Sequence, residues 1–567
     1  MAVAKKIQIY DTTLRDGCQS EDVSLTVEDK LQIAERLDDL GIDYIEGGWP
    51  GSNERDAAFF KEVKRLKLRH SKIAAFGSTR RANVRAAADR NLQLMLRANT
   101  PVVTVVGKTW DLHVREALRI SLQANLEILH DTISYLKKHV DQVFFDAEHY
   151  FDSYATNPEY AIACLKAADD AGADVIIPCD TNGGRLPFEI EDAVKAACAA
   201  VRCPIGIHCH NDSEVAVANT IAAVRSGAVQ VQGTINGLGE RCGNANLVSI
   251  IADLQLKLGY QCVPPGKLKA LQETSMLVYE LANIAPQPRQ AFVGRSAFAH
   301  KAGLHVSAVQ RNVRTYEHVD PALVGNDRRV ILSELSGRAN ILYKSREFGV
   351  LAEPTNEQIG MLLDELKRLE SLGYTFDGAE ASFELLMLRT LGLATDHFKF
   401  VSFRVFDDKW HEDQAPFSEA VVVIEGPDGR RTRNSAIGNG PVNALDSALR
   451  QALVPYYPSL ATMHLADYKV RVLDNGAGTA ARVRVLIEST DGTRRWGTVG
   501  LSSNVVEASW QGLVDSVEFK LHKDNVKPHL RPIAAANGAR PAVKTKRSRE
   551  RAASAKTRGL AAIASGR

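Results

Sequence analysis

The sequence predicts an α/β fold: a (β/α)8 TIM barrel, then a helical linker region, then a C-terminal α+β domain with an internal repeat. Three observations carry this reading. Short apolar or β-branched runs recur roughly every thirty residues through the first half, with helix-like stretches between them. Eight such units in about 270 residues suit a closed barrel, and no GxGxxG follows the first run to favour an open doubly wound sheet. Beyond residue 398 a strand, turn, strand and helix pattern occurs twice.

In order, the runs are IQIY (7–10), DYIEGG (43–48), IAAFG (73–77), VVTVVG (102–107), QVFFDA (142–147), DVIIPCD (174–180), IGIHCH (205–210) and VQVQGTINGLG (229–239). The first intervening segment, TVEDKLQIAERLDDLG, places Leu31, Ala34, Leu37 and Leu40 at helical spacing, with Gly41 as its stop. The rhythm ends near residue 275, so residues 1–275 are assigned to the barrel and 276–397 to the linker. There Thr355 and Gln358 fit a capping box ahead of the stripe Ile359, Leu362, Leu363, Leu366 and Leu369, which reads as a helical arm packed on another chain or domain. Residues 398–523 hold the repeat, SEAVVVIEGPDGRRTRNSAIGNGPVNALDSALRQAL against AARVRVLIESTDGTRRWGTVGLSSNVVEASWQGLVDSV. Each copy has an Asp-Gly turn between strands and a helix opened by small residues, near Gly440 and Asn504, whose N–H groups suit a carboxylate.

The last segment, 524–567, is basic and rich in Ala, Pro and Ser, and reads as a disordered, solvated tail rather than a nucleic-acid arm. Elsewhere the balance is ordinary: 45% hydrophobic, 24% charged and a formal net charge of +2, which argues for no particular macromolecular partner. The N-terminus lacks an apolar signal region, and no stretch has the length of a membrane span. Eight cysteines without a CxxC pair read as reduced thiols, so a cytoplasmic protein is expected.

Polar residues cluster just after the apolar runs: Arg15 and Asp16, Glu46, Glu148, Asp180 and Thr181, His208 and His210, and Glu240 to Asn244. In a barrel these strand ends share one face, the face that carries catalysis. Side chains alternate along a strand, so His208 and His210 point the same way and Cys209 the other. Two imidazoles at this spacing can hold one divalent ion, although a chance polar pair is the plain alternative for HxH alone. Asp16 supplies a carboxylate at the first strand end, beside the eighth strand, and Asn244 an amide oxygen. Oxygen and nitrogen donors without thiolate suit Mg or Mn, with Zn also acceptable.

DTTLRDG (11–17), HCHND (208–212) and NGLGERCGNAN (236–246) together resemble the metal-dependent barrel acyltransferases and lyases of the 2-isopropylmalate synthase, homocitrate synthase and 3-hydroxy-3-methylglutaryl-CoA lyase group. Within it, YIEGGWPGSN (44–53), FFDAEHYFD (144–152) and the linker run from AFAHKAGLHVSAV to SELSGRAN most resemble the citramalate synthases. The resemblance implies condensation of acetyl-CoA with pyruvate on a divalent metal held by Asp16, His208, His210 and Asn244. It implies Arg15 as stabiliser of the acceptor oxyanion, Glu148 as catalytic carboxylate and Thr181 as binder of the 2-oxo acid carboxylate. His305 and Tyr316 correspond to linker residues that reach a neighbouring subunit's site. Glu46 is expected to pair with Arg15 in bidentate fashion beside the substrate, Trp49 to form a wall, and His300 to be a structural neighbour. Segments Phe76 to Arg80 and Val105 to Trp110 are expected to line the acceptor pocket. A homodimer and a regulatory C-terminal domain binding isoleucine are also implied. One departure stands out: Val306 and Ser307 follow the linker histidine where some relatives have a small residue and then an aspartate. A 2-oxoisovalerate acceptor or carbon–carbon lyase chemistry are the rival readings, and the linker and repeat argue against a lyase.

Overall fold

Eight parallel strands close into a barrel in chain order. They are β1 (Gln8–Asp11), β2 (Tyr44–Gly48), β3 (Lys72–Ser78), β4 (Val102–Lys108), β5 (Gln142–Glu148), β6 (Val175–Asp180), β7 (Gly206–Cys209) and β8 (Gln230–Gly233). The ring closes where β1 pairs with β8, Gln8 opposite Gln230 and Asp11 opposite Gly233. This computed structural model describes residues 4–333, 336–350, 353–473 and 478–529, and the expected basic tail lies outside them from residue 530 on. Every predicted run holds a strand, but the eighth is shorter than the run. It ends at Gly233, because Asn236 takes a left-handed φ of 65° and folds Ile235–Gly237 into a 3-10 turn.

Both faces of the strands are buried, as a parallel sheet requires. Outward residues such as Ile9, Ile45, Val103, Phe145, Ile207 and Val231 pack against the surrounding helices. Inward residues Tyr10, Tyr44, Val102, Phe144, Val175 and Ile177 fill the lower interior. The first helix, Val27–Leu40, starts with a capping box between Thr26 and Asp29 and buries Ile33, Ala34, Leu37 and Leu40. Gly41 ends it at φ 92°, where a Cβ would also collide with Pro264.

The chain divides into two compact units between Gly378 and Ala379. The first carries the barrel and, after it, the parallel pair β9 (Ala299–His300) and β10 (Arg329–Val330) with helices Gly303–Arg311, Arg338–Glu347 and Asn356–Leu372. The capping box of Thr355 and Gln358 is formed, and Ile359, Leu362 and Leu366 are buried. In the second unit, β11 (Lys399–Asp408), β12 (Phe417–Glu425) and β13 (Arg431–Gly438) form one antiparallel sheet, followed by helix Pro441–Leu453. The motif returns in β14 (His464–Val472), β15 (Val483–Thr490), β16 (Arg495–Ser502) and helix Val505–Asp524. Val422 and Leu449 of the first copy share a core with Ile487 and Leu513 of the second. Among the described residues, no helix is long and apolar enough to cross a membrane.

Candidate functional site

The turn after β1 explains why DTTLRDG carries two acids. Asp11 is fully buried and accepts from the Thr13 backbone N–H and hydroxyl, both at 2.9 Å. The Thr13 hydroxyl oxygen accepts in turn from Ile235 N–H, which ties this turn to the one after β8. Burial pushes the Asp11 carboxyl up to about 7, against the opposing Thr13 bonds. Asp11 therefore shapes the turn, while Arg15 and Asp16 line the barrel mouth.

Asp16, His208 and His210 converge there, each with a ligand-capable atom within 4.8 Å of the others. His208 Nε2 lies 3.5 Å from Asp16 Oδ2 and 3.4 Å from His210 Nε2. Burial, and then the neighbouring His210, depress His208 to about 3, so it is a neutral imidazole at pH 7. Burial disfavours the charge on Asp16, but Arg15, His208 and His210 outweigh it and hold the carboxyl below its ordinary range. Asn244 bridges His210 through the backbone and donates its amide to Leu238 O at 3.2 Å, and among the described residues its buried Oδ1 has no partner. Gly243, at φ 91°, lets the loop fold back on Gly237 to bring Asn244 in. A carboxylate, two neutral imidazoles and an orphaned amide oxygen fit a divalent cation well. Cys209 packs outward into the core and takes no part.

Arg15 is gripped from below. Its Nε donates to Glu46 Oε2 at 2.5 Å, and its guanidinium lies 3.9 Å from the centre of the Phe76 ring. Burial opposes the charge of Arg15, yet Glu46 and Asp16 more than offset this and raise its pKa. The expected bidentate pair does not form. Tyr10 donates its hydroxyl to the other Glu46 oxygen at 2.7 Å, so each oxygen has its own donor. Glu46 is fully buried and is not among the residues lining the cavity, so it acts through Arg15 in this structure.

Asp146, which no sequence pattern marks, faces the same interior. Burial and then Glu46 push its carboxyl up to about 8. It accepts from Gln232 Nε2 at 3.0 Å, and Gln232 Oε1 lies 3.1 Å from His208 Nδ1. The visible signal was VQVQG, in which two glutamines alternate into the interior of an otherwise apolar strand.

Glu148 and Thr181 line the same cavity, of about 220 Å³, as Arg15 and the Asp–His–His cluster. Lys108 Nζ holds Glu148 Oε2 at 2.5 Å, another contact that the sequence did not announce. The Thr181 hydroxyl oxygen accepts from His149 N–H at 3.0 Å and keeps its own proton to donate. Trp49 forms part of the wall, edge-on to Phe76, with its indole N–H on Asn91 Oδ1 at 2.6 Å. Of the two segments expected to line the pocket, only Phe76 and Val106 do so. Trp110 instead stacks among His113 and His149.

His305 and Tyr316 do not line this cavity. They stack on each other at 4.1 Å on the linker, both exposed. Val306, in the same helix as His305, is buried, and Ser307 lies along an open groove with Arg311 and Arg346. His300 pairs with buried Glu317 at 3.0 Å, a structural contact. In the second unit, the helix start at Gly440 has no side-chain cap. The start at Asn504 corrects the expectation of free N–H groups, because Asn504 Oδ1 already accepts from Val506 and Glu507 N–H.

A closed parallel barrel with an Asp–His–His cluster at the carboxyl ends of its strands defines the class, and residues 6–278 match the family described as HMGL-like. Residues 292–373 match the homocitrate synthase post-HMGL domain-like family, and 377–521 the LeuA allosteric (dimerisation) domain. An (R)-citramalate synthase of Geobacter sulfurreducens is 57% identical over 517 residues, covering 91% of this chain and 98% of the relative. One from Aquifex aeolicus is 52% identical, covering 92% and 99%. A 2-isopropylmalate synthase of Methanocaldococcus jannaschii is 32% identical, covering 92% and 96%. The chain belongs to the citramalate synthase family.

Proposed function

We infer that this chain condenses acetyl-CoA with pyruvate and water to give citramalate and CoA. The observation that carries the reading is the sharing of one cavity by Asp16, His208, His210, Arg15 and Glu148 in a chain of this family. At about 220 Å³ the cavity is below the roughly 300 Å³ at which drug-sized pockets begin, which suits a small 2-oxo acid. A divalent cation, held by Asp16, His208, His210 and Asn244, supplies Lewis-acid polarisation of the acceptor carbonyl when bound. Arg15, oriented by Glu46 and Tyr10, stabilises negative charge growing on the carbonyl oxygen. Thr181 donates to the acceptor's carboxylate. Glu148 takes the proton from the acetyl methyl group, and Lys108 fixes the carboxylate for that transfer.

His305 and Tyr316 complete the site of a second copy in a homodimer, a reading supported by their exposure on the linker and the match to a dimerisation domain. Mixing a His305→Ala chain with a Glu148→Ala chain then regenerates activity, and proven heterodimers without activity would end this reading. The second unit binds isoleucine, with the uncapped start at Gly440 as the carboxylate site. Inhibition of the full chain by isoleucine, and not by leucine or valine, tests this. The reaction itself is tested by CoA release across a panel of 2-oxo acids. Pyruvate should give the highest kcat/KM, and a clear preference for 2-oxoisovalerate would overturn the assignment.

A further inference from the structure

A histidine ligates through a lone pair, so a metal site needs one tautomer of each ring. His208 Nδ1 lies 3.1 Å from Gln232 Oε1, and an amide oxygen can only accept. Nδ1 therefore carries the proton, and Nε2 presents its lone pair towards Asp16 and His210. A Gln232 amide turned by half a rotation would present its NH2 to Nδ1 and move the proton to Nε2, against the site. Asp146 Oδ1, on strand β5, accepts from Gln232 Nε2 at 3.0 Å, and the ionised carboxylate, which a bound cation favours, has no proton to offer a turned amide oxygen. Gln232 is fully buried and off the cavity wall, so its amide relies on protein partners. His210 differs: among the described residues its buried Nδ1 has no partner. The lock falls on one of the two histidines.

We propose that Asp146 is a positioning residue for metal binding: it fixes the Gln232 amide, which holds His208 in the Nδ1–H tautomer and leaves Nε2 free to ligate. This rests on reading Asp16, His208 and His210 as a metal site. Outer partners of ligating histidines characteristically matter in this way, because they set ring orientation and tautomer together.

The test is titration of the metal-free full chain with Mn2+, with the free ion followed by electron paramagnetic resonance. Asp146→Val, close in size to the parent residue but without an acceptor, should weaken Mn2+ binding by roughly ten- to a hundredfold. Asp146→Asn can both accept from and donate to the amide, so it should fall between the parent and Asp146→Val. In a Gln232→Glu background the carboxylate accepts from Nδ1 in either orientation, so Asp146→Val should there cost nothing. Parent-like affinity in Asp146→Val, or an equal loss in the Gln232→Glu background, overturns the proposal. Where Asp146→Val fails to fold, Asp146→Ala takes its place under the same two criteria. A parent chain that takes up no Mn2+, or an Asp16→Ala chain that binds like the parent, removes the metal-site reading itself. Strong parent binding that is indifferent to Asp146 removes only the lock.

Discussion

Two layers of the barrel interior, one residue pair apart along the same strands, have opposite character. In the lower layer Tyr10, Tyr44 and Phe144 pack ring against ring, with centroids 5.0 to 6.0 Å apart. In the upper layer Glu46, Asp146, Gln232 and His208 occupy the equivalent inward positions of β2, β5, β8 and β7. Tyr10 belongs to both, since its ring packs below while its hydroxyl meets Glu46 and Thr104, each at 2.7 Å. The lower layer needs only volume and shape. The upper layer holds buried polar and ionisable groups whose desolvation is offset only by partners at correct distances. Stability is therefore concentrated in one layer and chemistry in the other, and the contrast can be broken from either side.

The largest effect should come from the upper layer. Asp16→Asn, or removal of metal by a chelator, should lower kcat/KM by about a thousandfold or more, equivalent to about 4 kcal/mol of transition-state stabilisation. Its urea midpoint should barely move, and retained activity in metal-free protein would contradict the assignment. Phe144→Ala should do the reverse, costing about 3–5 kcal/mol of barrel stability in urea denaturation. Tyr10→Phe cuts the seam between the layers. It leaves a buried Glu46 oxygen short of a donor, with an expected cost of about 1–3 kcal/mol and a fall in kcat as Arg15 loosens.

The last effect is a pH dependence, the smallest when counted per pH unit. Asp146 titrates near 8 in the folded chain, against an ordinary aspartate value of about 4 in the unfolded one. Between these values the folded state holds a proton that the unfolded state has released. The stability it contributes is full below about pH 4 and is lost as pH rises towards 8. Metal-free Asp146→Asn has no such loss. Its stability relative to the parent should rise between pH 5 and 8, by about 1 kcal/mol per pH unit. A flat difference across that window would show that Asp146 ionises normally.

The two layers were not equally legible in the sequence. Apolar runs and helix stops such as Gly41 report local periodicity and local backbone need, so the barrel could be read from them. Asp16, His208 and His210 were legible because a strand's alternation and the adjacency of first and last strands bring them together. The Asp146–Gln232 contact joins residues 86 positions apart across the barrel, and no local pattern states which inward side chains meet there. The bidentate expectation for Glu46 failed for the same reason, because Tyr10 is a competing donor visible only once the layers are stacked. The excess length of the eighth run has a local cause, since Asn236 leaves the extended region inside a segment that still looks β-like.

The aromatic layer has one more consequence. With Tyr10 and Phe144 fully buried, packed rings close the barrel interior below the cavity. The side chains of Asp16 and His208 are 4% and 6% exposed, whereas those of Glu148 and Lys108 are 23% and 32% exposed. Traffic through such a vessel is a queue. For the proposed reaction, this order of depth predicts that the small acid binds before the bulky thioester and that its product leaves after the spent carrier. A carrier that arrives early blocks the line, so excess thioester should act as a competitor of the small acid.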